Sequence, residues 1–238
     1  MSARAKPSTR RRHGLALLWI AAITGCGRAD TSNFFLLVDT SGSISHSVSK
    51  RIHNAAVDEM KTWARDARAG DIYALWWLTP ASAPYPAESR SFTFPTLAMP
   101  AFRSREAAVE DLVNQLKKAL GELPSGVGET PLLEAMHLIS ATQTEPYKLV
   151  LYSDLHEESP RSRALRRSSA ADENPPPRWM FELCPRVDQP PDEVRVYSWP
   201  GLISGKVNVA QYTRDRSDFE AFLAEWAPRA RNDFFQID

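Results

Sequence analysis

Residues 34–43 read Phe34-Phe35-Leu36-Leu37-Val38-Asp39-Thr40-Ser41-Gly42-Ser43. Five apolar residues without a break suit a strand buried on both faces of a parallel sheet, where alternation disappears because neither face meets water. That strand ends on one acid and a cluster of hydroxyls. From Ile44 the apolar period changes. Ile44, Val48, Ile52, Ala55, Ala56, Met60, Trp63 and Ala67 recur at three- and four-residue steps, which predicts an amphipathic helix ending near Gly70.

The same alternation continues outward. Asp71–Leu78 predicts a second buried strand, followed by a Pro/Ser/Ala-rich excursion and "RSFTF" (90–94) as an edge strand. Phe102–Leu120 predicts a helix with Val109, Leu112, Val113, Leu116 and Leu120 on one stripe, and 121–130 a loop. Pro131–Ala141 reads as a helix, "YKLVLYSDL" (147–155) as a third buried strand and "EVRVYSW" (193–199) as a fourth. Ser217–Ala227 closes the chain as a helix with Phe219, Phe222, Leu223 and Trp226 inward. Strands alternating with helices require parallel crossovers, so the expected class is α/β: a doubly wound, mostly parallel sheet flanked by helices. Residues 157–178 mix Arg, Ser, Ala and Pro without a usable period and read as a long mobile surface insertion. The tryptophans at 76, 77, 179, 199 and 226 read as packing residues, and His46, His53 and His137 as surface or packed positions in helices.

The amino-terminal segment is different in kind. Arg4, Lys6, Arg10, Arg11 and Arg12 precede a short apolar run, Gly14–Gly25, too short to span a bilayer. This is the layout of a secretory signal over 1–25, and Ile23-Thr24-Gly25-Cys26 resembles a bacterial lipobox, in which the cysteine carries lipid. Residues 26–33 then form the lipidated Cys26 and a short tether to a domain over 34–238, with the protein on the bacterial cell envelope, facing the periplasm or the exterior. The whole chain has 29 basic and 29 acidic residues. Removing 1–25 takes five basic and no acidic ones, leaving 24 against 29, or −5. A mildly acidic exported domain lacks the clustered cations that nucleic-acid binding uses. Cys26 and Cys184 are the two cysteines, so with Cys26 lipidated there is no disulfide framework, and Cys184 reads as a buried or idle thiol.

In an open parallel sheet ligands bind beyond the carboxyl ends of the strands. Asp39, Ser41 and Ser43 follow the first strand, Thr130 precedes a helix, and Asp154 ends "KLVLYSD". Two carboxylates and three hydroxyls are hard oxygen donors, which suit Mg²⁺ or Mn²⁺ and not the softer metals that prefer Cys and His. Taken singly, Asp-Thr-Ser-Gly is a turn, and Thr130 before Pro131 is a helix cap with proline in the first turn. Taken together, "DTSGS", "ET" and "SD" resemble the metal-ion-dependent adhesion site of von Willebrand factor A domains, over about residues 30–238. The resemblance implies that Asp39, Ser41, Ser43, Thr130 and Asp154 hold the ion, the hydroxyls directly or nearly so and the aspartates largely through water. It also implies a protein partner that offers an Asp or Glu carboxylate, in adhesion or complex assembly, and a sheet with an antiparallel edge strand. One departure stands out: members often carry glycine after the last aspartate, where this chain has Leu155-His156-Glu157-Glu158.

Two other readings compete. In one, Asp39 is the nucleophile of a metal-dependent phosphohydrolase; such enzymes need a second acid two residues later, where Ser41 stands. Neither a P-loop lysine nor a Gly-x-Ser-x-Gly elbow is present. In the other, the domain is a scaffold with a non-functional site. The sequence favours a binding module that is not an enzyme, and reads His156 and Glu157 as part of a solvated loop.

Overall fold

The computed structural model describes residues 32–41, 46–79, 83–95, 104–124, 128–168, 176–200, 202–203 and 206–237. The signal segment 1–25, Cys26, most of the tether and Ser43 lie outside the described residues.

Six strands form one sheet: β1 (Asn33–Val38), β2 (Ile72–Leu78), β3 (Ala87–Thr93), β4 (Tyr147–Ser153), β5 (Glu193–Ser198) and, after two two-residue strands β6 (Leu202–Ile203) and β7 (Lys206–Val207), β8 (Arg231–Gln236). Their order is β3-β2-β1-β4-β5-β8. β3 runs antiparallel to β2 at one edge, and every other pair in this sheet is parallel. The chain therefore winds from β1 to β3 on one side and from β4 to β8 on the other, with the switch in order between β1 and β4. That is where a doubly wound sheet opens a crevice at its carboxyl edge.

The helices are α1 (His46–Ala64), α2 (Arg105–Gly121), α3 (Leu132–Ala141), α4 (Pro160–Ser168), α5 (Arg178–Leu183) and α6 (Val209–Trp226). They divide between the two faces. Phe34, Leu36 and Val38 of β1 pack with α1 and α2, while Phe35 and Leu37 pack with α3, α5 and α6. Both faces of β1 are thus covered, which explains its unbroken apolar run. Phe34 stacks on Tyr73 at 4.7 Å between ring centroids, and Trp199 and Trp226 are among the largest fully buried side chains. Trp76 and Trp77 are partly buried against opposite clusters. Cys184 is buried in the core and is not in a disulfide.

Several elements differ from the sequence reading. The first helix stops at Ala64, and Gly70 instead supplies the positive φ, 96°, of the turn into β2. The last helix starts at Val209, where the Asn208 side chain accepts from the Gln211 amide at 3.0 Å. β8 has no counterpart among the strands the sequence predicts, because Arg231, Asn232 and Asp233 give a polar edge strand with little apolar pattern. The largest correction concerns 157–178, which is not one long mobile loop. Residues 160–168 are helical and 178 begins another helix, while 169–175 lie outside the described residues. A local signal for α4 exists. Ser159 and Ser162 exchange side-chain-to-amide hydrogen bonds of 2.9 and 3.1 Å around Pro160, a reciprocal cap with proline in the first turn.

Candidate functional site

At the end of β1 the ladder continues one residue past the strand, with the Asp39 amide donating to the Tyr152 carbonyl at 2.8 Å. This places Asp39 fully buried beside Ser153 of β4. Its carboxylate is held on both oxygens: the Ser41 amide donates to Oδ1 at 2.8 Å and the Ser153 hydroxyl to Oδ2 at 2.9 Å. Ser41 itself is buried. Between them, Thr40 turns its hydroxyl to the Leu78 carbonyl of β2 at 3.0 Å, pinning the turn to the neighbouring strand.

At the end of β4, Asp154 is also buried, at 4% exposure, and its Oδ1 accepts from the His156 amide at 3.0 Å. Burial, and then the negative charge of Asp154, hold the Asp39 carboxyl well above the usual carboxylate range. Two buried carboxyls that repel each other are costly to fold unless a cation or a proton sits with them.

Leu155 follows in the left-handed region, φ 64°, with its side chain buried in the core. Its amide donates to Ser153 Oγ at 3.0 Å, so one hydroxyl serves both strand ends. The segment then crosses to the loop before α3, where Thr130 and Glu158 exchange two backbone hydrogen bonds of 3.0 Å. Thr130 is buried there and is not the cap of α3. Pro131 occupies the cap position with no side-chain hydrogen bond. The acceptor comes from Glu157, whose Oε2 takes the Leu133 amide at 2.8 Å.

The structure therefore brings Asp39, Ser41, Thr130 and Asp154 to the carboxyl edge, at the switch between β1 and β4. Two further residues support these segments. Ser153 bonds the Asp39 carboxylate, and nothing in a strand ending Ser-Asp marks it in advance. Glu157 is 3% exposed, which corrects its reading as part of a solvated loop. His156 is corrected likewise: Nδ1 lies 2.9 Å from Asp215 Oδ2 of α6, and that contact raises its pKa. Among the described residues no three His, Cys, Asp or Glu side chains gather into a metal-holding group. The candidate set is a mixed one of carboxylates and hydroxyls. Beside Thr130 a groove of about 290 Å³ is lined by Tyr85, Glu129, Pro131, Glu134, Pro160 and Arg161, among others.

No protein-family model and no curated protein matches the chain. Similar solved structures include an aerotolerance-related membrane protein from Bacteroides fragilis, at 13% identity, 87% of this chain, 91% of that one and a TM-score of 0.37. A von Willebrand factor type A structure from Catenulispora acidiphila shares 14% identity over 88% of this chain and 39% of that one, at a TM-score of 0.40. The manganese-loaded TRAP protein of Plasmodium vivax shares 15% identity over 88% and 69%, at 0.39. Likenesses of this degree assign no residue of the site.

Proposed function

We propose that this domain is a von Willebrand factor A-type binding module that holds Mg²⁺ or Mn²⁺ at its carboxyl edge and, through the ion, an acidic residue of a protein partner. The observation that carries this reading is the burial of Asp39 and Asp154 side by side at the ends of adjacent strands, with buried Ser41 on the Asp39 carboxylate and buried Thr130 bridged to the segment that follows Asp154. The donor chemistry fits the ion: two carboxylates and hydroxyls are what a hard divalent cation prefers. Ser41, Ser43 and Thr130 would supply hydroxyl oxygens, and Asp39 and Asp154 negative charge, largely through water. A bound divalent ion would supply a centre of positive charge able to accept a partner's carboxylate. The groove beside Thr130 offers that partner a concave surface next to the site.

Binding is favoured over turnover by what surrounds Asp39. Both of its oxygens are already held by Ser41 and Ser153, and no second acid stands at position 41 to serve as a proton donor. The amino-terminal sequence supports an envelope protein anchored through lipid on Cys26. Among the described residues no helix is long and apolar enough to cross a membrane.

Calorimetric titration of the purified protein with Mn²⁺ tests the site. Asp39→Ala and Asp154→Ala are expected to weaken binding by roughly tenfold to a hundredfold or more, since even groups one shell out from a metal carry effects of that size. Heats unchanged in both variants would remove the metal assignment. A partner retained with Mg²⁺ and released by EDTA is the matching expectation for the second half of the reading.

A further inference from the structure

The first turn of a helix leaves amide donors that no helical carbonyl can satisfy. In α3 one of these, the Leu133 amide, is satisfied from 24 residues away by the carboxyl of Glu157. The next residue, Glu158, is the one that pairs with Thr130 through two backbone hydrogen bonds. The backbone of Glu157 is fixed in turn by α4, since Arg166 donates to its carbonyl at 2.9 Å and lies 4.3 Å over the Trp179 ring of α5. So one five-residue segment begins at Asp154, passes through the left-handed Leu155 and ends on Thr130.

Glu157 is an expensive way to cap a helix. It is nearly fully buried, and its Oε1, like the Nε of Arg166, makes no well-formed hydrogen bond among the described residues, although the Ser159 hydroxyl lies close to the carboxyl. A buried polar atom left unpaired costs about 1–3 kcal/mol. A Ser, Thr, Asp or Asn at the cap position would satisfy the helix locally at far lower cost, yet Pro131 stands there. The cost buys a connection that a local cap would not make, between the Thr130 loop and the end of β4.

We infer that Glu157 is a positioning residue for Thr130: its carboxyl anchors the first turn of α3 while Glu158 pairs with Thr130, so that two ligand-bearing segments are locked to one another. The inference rests on the proposed cation site only for the role given to Thr130. It also accounts for the departure from the family pattern after Asp154, because Leu155-His156-Glu157-Glu158 carries the lock.

The test compares Glu157→Leu, which removes the acceptor, with Glu157→Gln, which keeps an acceptor oxygen of the same reach. Hydrogen exchange in metal-free protein reads the lock directly. The Leu variant is expected to speed exchange at the Thr130, Leu133 and Glu158 amides by about tenfold, the loss of roughly one hydrogen bond, while β1 amides and the Gln variant stay near wild type. In Mn²⁺ titrations the Leu variant is expected to lose about tenfold in affinity, and the Gln variant to restore it. A folded Leu variant with unchanged Mn²⁺ affinity would make Glu157 a structural cap only and overturn the inference. If the wild type takes up no Mn²⁺, the cation reading fails, and the exchange arm alone decides; equal exchange in wild type and variant then sinks the lock. Should the Leu chain not fold, Glu157→Asp, one methylene short of Leu133, takes its place with the same expectations.

Discussion

At the end of β1, Asp39 is oriented by the residue two places on, Ser41, and by one hydroxyl from the adjacent strand. At the end of β4, Asp154 begins a segment whose geometry depends on partners far away in sequence: Thr130 in the loop before α3, Leu133 in α3 itself, and Arg166 in α4. The two ends deliver the same kind of group to the same edge. The first does so mainly through turn chemistry within Asp39–Ser41. The second is held by tertiary contacts and contains a strained residue, Leu155, at φ 64°. Strain of this kind persists only where the surroundings over-determine it. The comparison implies that the β1 end forms from local preferences, and the β4 end only once α3, α4 and α5 are in place.

Leu155 gives the largest effect by which to break that comparison. A non-glycine residue in the left-handed region costs about 1–2 kcal/mol, and truncating a buried leucine costs about 2–5 kcal/mol. Burial outweighs strain, so both Leu155→Ala and Leu155→Gly are expected to destabilise. Their order is the informative part. Glycine relieves the strain that alanine keeps, so the Gly variant should be at least as stable as the Ala variant, by about 1 kcal/mol, against the usual ranking. Urea unfolding of the two variants measures it. A clearly less stable Gly variant would mean that Leu155 is not strained and that the β4 end is as relaxed as the β1 end.

The next effect comes from Glu157. Burial pushes its carboxyl from an ordinary 4.5 up to about 8, with Glu134 adding to the rise, against the Leu133 amide, the Ser159 hydroxyl and Arg166, which favour the charged form. The Cys184 thiol, close enough to feel Glu157, is pushed up as well by its own burial. A carboxyl whose folded pKa is raised binds its proton more tightly when folded. Its contribution to stability is fully present below about pH 4.5 and is lost as pH rises through about 8. Relative to Glu157→Gln, the wild type should therefore lose up to about 1.4 kcal/mol per pH unit within that window. Denaturation midpoints for the two proteins from pH 5 to 8 give the slope. Parallel curves would show that the carboxyl is not buried as described, and that the lock to Thr130 is looser than the β1 turn.

What could be read from the sequence follows the same division. β1, β2 and β4 were legible because a strand covered on both faces must be nearly continuously apolar, and Leu36 and Leu37 point to opposite clusters with neither exposed, whereas β5 shows only the alternation of Val194 and Val196. The ends of β1 and β4 were legible as sites because Asp39, Ser41 and Asp154 follow such runs. The β4-side support was not. Glu157 and Glu158 look like a solvated pair in a polar stretch, and only the packing of α4 and α5 over them makes one a buried cap and the other a bridge. β8 was hidden for a related reason, since an edge strand pairs on one side and can carry Arg231 and Asp233 without penalty. The Ser159-Pro160 cap of α4 is written in the sequence, but the arginines after it leave no apolar period to mark the helix.

The smallest effect concerns whether side chains or backbone hold Thr130 in place. Arg163 of α4 lies 3.1 Å from Glu129 Oε1 and 3.7 Å from Glu158 Oε1, bracketing the Thr130–Glu158 bridge, with 43% of its side chain exposed. Exposed pairs of this kind are worth about 0.2–1 kcal/mol, because two hydrated charges gain little and long side chains lose freedom. Arg163→Ala is therefore expected to lower stability by less than about 1 kcal/mol, and about 1 M salt should erase most of the difference. The backbone pair and the buried Glu157 cap, neither of which depends on that surface charge, would remain. If the substitution instead cost as much as truncating Leu155, the β4 end would owe its geometry to surface charge, and the contrast with the locally coded β1 turn would have to be redrawn around α4.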